Sequence, residues 1–191
     1  IHLNESRTDQ YSLPYNDFWC ALFTKDNLIW LTGWSPANND QILFKVNLNP
    51  EHIEENVLGV PVYTFKEDKA GSIYAGSESS VYRLSPDGQT EEFWNIPNSG
   101  RWQDIQIDSE GHFWISSTTG LAYYNTRSRN GKIFPVYDID LAIGDLLELT
   151  KTQLISKDSI LVGTSNGLFL FHVPTKKFEF IPVELADRTD R

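Results

Sequence analysis

The segment GHFWISSTTGLAYYN, residues 111–125, has an outline that recurs three more times in the chain, and this repetition constrains the fold more than any other feature. Each copy is an aromatic or apolar burst, a small residue, a break and a second burst. Aligned on the small residue, the copies read Trp30-Leu31-Thr32, Tyr74-Ala75-Gly76, Trp114-Ile115-Ser116 and Leu161-Val162-Gly163, at intervals of 44, 40 and 47 residues. A period of roughly 40 to 50 residues built from short strands is that of β-propeller blades, one four-stranded antiparallel sheet per repeat.

Strand by strand, the third repeat runs WQDIQID, a turn SEGH, FWIS, a break STTG, LAYYN, a turn TRSRNG and KIFPV. Gly, Asn, Asp and Pro stand at nearly every break, which is turn chemistry and not helix chemistry. FWI, IYA, LIW and ILV are almost continuously apolar. That suits sheets covered on both faces by neighbouring sheets. The small residues 32, 76, 116 and 163 are expected where sheets approach closely, and Gly120 and Gly167 where the backbone needs a positive φ. The expected fold is therefore all-β, with about four four-stranded blades. They are placed at 17–58, 60–95, 101–137 and 141–183, after a leftover outer strand at 1–5. Residues 141–160, with their irregular Leu spacing, are read as the inner strand of the fourth blade.

Composition narrows the function. The chain has 191 residues, 40% of them hydrophobic and 13% aromatic, enough to bury a core. A net charge of −10 opposes any phosphate backbone, so nucleic-acid binding is not expected. Cys20, the single cysteine, sits in the apolar stretch DFWCALF and reads as a buried structural thiol. No apolar run approaches 18 residues, and a membrane is expected only through parts of a longer parent chain. The sequence lacks methionine. Together with the leftover strand, this suggests a segment of a larger propeller, although closure as a small ring or pairing of two chains through exposed blade faces would also cover the end blades.

The third repeat resembles the two-component regulator propeller repeat, with Asp108, Gly111, Trp114, Gly120, Leu121 and Tyr124 on its pattern. ILVGTSNGLFLF matches it well in the fourth repeat; the second keeps EDKAGSIYAG but has SSVYRL for the Gly-Leu step, and the first is the most divergent. The resemblance implies the sensory ectodomain of a bacterial membrane-bound histidine kinase. Such a domain is periplasmic, receives a small ligand, often an oligosaccharide, and is not itself an enzyme.

Sugar recognition needs a flat apolar face for the ring and planar polar groups for its hydroxyls. In a propeller, the loops entering the inner strands are the natural place for both. The connector NSGRWQD supplies Arg101, Trp102, Gln103 and Asp104, and YNDFW supplies Tyr15, Asn16, Asp17 and Trp19. Trp34, in the polar insert GWSPANND, has no aromatic counterpart in the other repeats. Trp102 aligns with Phe18 and Val62, an apolar position, which also makes it a core candidate. No catalytic set, cofactor or metal site is expected, because the four histidines fall at different phases of the repeat. A lyase or hydrolase, or a protein-binding scaffold, is the alternative reading.

Overall fold

The computed structural model describes residues 18–35, 40–48, 51–56, 60–85, 89–136, 148–165 and 167–182. The leftover strand at 1–5, Tyr15, Asn16, Asp17 and residues 141–147 lie outside them. All regular structure among the described residues is β, in four four-stranded antiparallel sheets. The first holds β1 (Phe18–Phe23), β2 (Leu28–Ser35), β3 (Asp40–Leu48) and β4 (Glu51–Asn56). The second holds β5 (Thr64–Glu67), β6 (Ile73–Gly76), β7 (Ser80–Leu84) and β8 (Thr90–Asn95). The third has β9 (Trp102–Ile107), β10 (Phe113–Ser117), β11 (Gly120–Asn125) and β12 (Asn130–Phe134). The fourth has β13 (Leu149–Leu154), β14 (Ser159–Thr164), β15 (Gly167–His172) and β16 (Lys177–Ile181). Each sheet is a meander in chain order, which makes it a propeller-type blade. The segment 141–160 contributes the strand β13 from Leu149 onward.

The hairpin between the first two strands of the second and third blades explains the acidic-residue, Gly, aromatic pattern of the repeat. In the third blade, Oδ1 of Asp108 accepts from the amides of Glu110 and His112, both at 2.9 Å, and Oδ2 accepts from Nε1 of Trp114 at 3.4 Å. The carboxylate thus closes the turn and fixes the aromatic ring that follows. Gly111, at φ +82°, completes the turn. Asp68, Gly71 and Tyr74 repeat the arrangement in the second blade, where Oδ1 of Asp68 accepts from Ala70 and Ser72 at 2.8 Å and Oδ2 from the Tyr74 hydroxyl at 3.4 Å. In the divergent first blade, Oγ1 of Thr24 accepts from the Leu28 amide at 3.2 Å, and Asn27 takes the positive φ, +59°. Different residues thus build the same turn.

Cα packing divides the chain into two compact units, 1–105 and 106–191. In the first, Trp30 and Leu43 of one sheet meet Val62, Phe65, Ile73, Ala75 and Leu84 of and before the next, with Cys20 partly buried against them. Leu31, Ile42, Phe44 and Val46 form a separate apolar cluster within the first sheet. In the second unit, Trp114, Leu121, Phe134 and Val136 pack with Leu149, Ile160, Val162, Phe169 and Phe171. Gly76 marks a close approach, since a Cβ there would stand 2.7 Å from Cγ2 of Thr64 and 3.2 Å from Cδ1 of Ile105. Gly120 and Gly167 adopt φ +146° and +144°.

Candidate functional site

The residues that enter the inner strands decide the site, and their side chains alternate. Along β9, Trp102 and Asp104 turn inward and are buried, while Gln103 is half-buried and Arg101, just before the strand, is exposed. Trp102 has no exposed surface, and its indole N–H donates to Oγ of Ser99 at 2.6 Å. Its ring packs against Trp94 at 5.1 Å. Of this connector, therefore, Arg101 and Gln103 can face a ligand, and Trp102 and Asp104 serve the interior.

Arg101 and Gln103 come together with Trp19, Gln41 and Tyr63 around an open hollow of about 450 Å³. Trp19 reaches it through a β-bulge: the β1–β2 register jumps between Phe18 and Cys20, leaving Trp19 as the extra residue. The residue is 43% exposed, and its indole N–H donates to the Val62 carbonyl at 3.0 Å, so it is anchored and accessible at once. The Arg101 guanidinium lies 5.7 Å from the centre of the Tyr63 ring, within cation–π range. The Tyr63 hydroxyl donates to Oε1 of Glu78 at 3.2 Å, and Gln41 hydrogen-bonds the same phenol. Burial, then the Glu78 charge, raises the Tyr63 pKa above its ordinary value. The phenol stays a neutral donor and acceptor at physiological pH. Glu78 and Arg101 are also joined by a backbone β-bridge.

Trp34 sits beside this cluster without lining it. It is half-buried and directly opposite Gln41 in the β2–β3 register, on the same face of the sheet. Tyr63, Gln41 and Glu78 are absent from the sequence-based expectation. A signal for one of them existed: if Phe18, Val62 and Trp102 are equivalent, then so are the residues that follow, Trp19, Tyr63 and Gln103. All three line the hollow.

The arrangement offers two aromatic faces and three planar polar groups, which suits a polyhydroxylated ring. His112 and His172 each have partners of their own. Nδ1 of His112 lies 3.1 Å from Oγ1 of Thr126 and accepts from the Thr126 amide at 3.3 Å, and Nε2 of His172 lies 2.8 Å from Oε2 of Glu179. No cluster of three or more His, Cys, Asp or Glu able to hold a metal occurs among the described residues.

Known structures with this fold are β-propellers. Virginiamycin B lyase from Staphylococcus aureus superposes with a TM-score of 0.66 at 16% identity, over 91% of this chain and 59% of the lyase. The extracellular domain assigned to the hybrid two-component system BT4673 of B. thetaiotaomicron gives 0.69 at 19% identity, over 89% of this chain and 22% of that one. The corresponding domain of BT3049 gives 0.69 at 17% identity, over 97% and 24%. Extracellular domains of two-component systems thus share the fold, in keeping with the resemblance read from the repeats. The chain spans 59% of the lyase and under a quarter of the two sensor chains. No family model matches the sequence, and no curated protein does.

Proposed function

We propose that this chain is part of an extracytoplasmic sensing propeller of a two-component system, periplasmic and non-catalytic, and that the Trp19, Tyr63, Arg101 and Gln103 cluster holds an oligosaccharide. The observation that carries the reading is the convergence of equivalent positions from three successive blades on one hollow, with an anchored exposed indole beside a guanidinium. Sensor ectodomains of the same fold support the sensing role. The lyase neighbour supports the fold equally, while the chemistry of this hollow, two aromatic rings with amide and guanidinium groups, is that of binding.

Calorimetric titration against a panel of neutral oligosaccharides tests the site. Arg101→Ala and Tyr63→Ala should each weaken binding at least about tenfold, roughly 1.4 kcal/mol. Trp34→Ala should have the smaller effect, as a neighbour of Gln41. Unchanged affinity in both Arg101→Ala and Tyr63→Ala would remove the cluster from the site, and turnover of any panel member would replace sensing with catalysis.

A further inference from the structure

The second unit holds a cavity that shares no lining residue with the sensing cluster. It is about 350 Å³, at the lower end of the roughly 300–1,000 Å³ usual for small-ligand pockets, and it lies between the third and fourth sheets. Its apolar lining includes Trp114, Tyr123, Phe134 and Ile160, and Lys157 and Lys176 also line it.

The wall is rigid. The Trp114 and Tyr123 rings stand 4.4 Å apart at 41°, and His112 meets Tyr123 edge-on at 5.9 Å. Asp108 pins the Trp114 indole through its N–H, and Nδ2 of Asn125 donates to the Tyr123 hydroxyl at 3.3 Å. The carboxylates on this side are already committed. Both oxygens of Asp108 accept hydrogen bonds, Oδ1 from the turn amides and Oδ2 from the Trp114 indole, and Oε2 of Glu110 lies 3.5 Å from Nη1 of Arg127 and 3.7 Å from Nε2 of His112. Lys157 and Lys176, both exposed, also line the cavity, with no ion pair among the described residues. Two lysines lining the same cavity as a fixed aromatic wall stand out in a chain of net charge −10.

We propose that this cavity binds a carboxylated sugar ring, with the ring's C–H face on Trp114 and Tyr123 and its carboxylate between Lys157 and Lys176. The ammonium groups supply charge-assisted donors for the carboxylate, and the cavity has room for one pyranose.

Calorimetry with glucuronate, and with glucose as the neutral ring of the same size, tests the assignment. Glucuronate should give saturable heat and bind at least about tenfold more tightly than glucose. Lys157→Gln/Lys176→Gln, two exposed substitutions whose folding is checked by circular dichroism, should lose at least about tenfold in glucuronate affinity. Arg101→Ala should leave it unchanged, which separates this cavity from the sensing cluster. Absence of saturable glucuronate binding, equal binding of glucose, unchanged affinity in the double variant, or loss of binding in Arg101→Ala would each overturn the proposal.

Discussion

Asp108 shows what one residue of the repeat contributes. Its carboxylate takes two amides and an indole N–H, and a charged acceptor makes each bond stronger than a neutral one. Asp108→Ala leaves those donors to water or, at the half-buried His112 amide, poorly matched. The cost should be about 1–2 kcal/mol, read as a lower urea midpoint at unchanged m-value. Asp108→Asn keeps an amide oxygen for the two backbone donors and loses only the Trp114 bond, so its cost should stay under about 1 kcal/mol. Equal loss in the two variants would mean that the charge, and not the turn geometry, is what the position requires. The motif was legible as letters, but its physical content needed coordinates, because an Asp before a Gly turn is usually only a solvated turn residue. The first blade hid it further by using Thr24 and Asn27 for the same turn.

At the scale of elements, three glycines with positive φ separate local strain from packing. A Cβ on Gly111 would meet nothing within 4 Å, so Gly111→Ala should cost only the conformational penalty, about 1 kcal/mol. On Gly167 it would meet the Phe180 ring at 2.9 Å, and that ring is half-exposed and can swing aside. On Gly120 it would meet the Phe134 carbonyl oxygen at 2.5 Å and Cα of Pro135 at 2.9 Å, backbone atoms that cannot yield. Gly120→Ala should therefore be the costliest, on the order of 3 kcal/mol, with Gly167→Ala between, in thermal or urea unfolding. A Gly120→Ala protein as stable as Gly111→Ala would show that the β11–β12 edge relaxes freely. Strands and these breaks were readable because turn residues punctuate them. The candidate site was readable only in part. The alternation Arg101, Trp102, Gln103, Asp104 is plain in the letters, yet which half faces outward depends on Trp102 meeting Ser99 and Trp94. The bulge that turns Trp19 toward Tyr63 leaves no mark in the sequence, since one extra residue in β1 looks like ordinary strand.

For the molecule as a whole, the acidic balance sets where stability is lost. Burial, before any charge effect, raises the pKa of Tyr63, Tyr74 and Tyr123, with Glu78 adding at Tyr63 and Asp68 at Tyr74. At Tyr123 the Asn125 hydrogen bond partly opposes the shift. Their ordinary value is 10.0, so above that pH the unfolded chain gives up protons that the folded chain still holds. The unfolded state then binds fewer protons, and stability falls as pH rises. The contribution is complete below pH 10.0 and disappears as pH climbs through the raised folded values. Each phenolate formed also adds to a net charge already at −10, which strengthens self-repulsion. Melting temperatures measured from about pH 8 to about pH 11 should hold level and then drop beyond about pH 10. Tyr74→Phe/Tyr123→Phe should flatten the drop, because phenylalanine keeps the ring packing and has no proton to lose; an identical slope in that variant would place the alkaline loss on other groups.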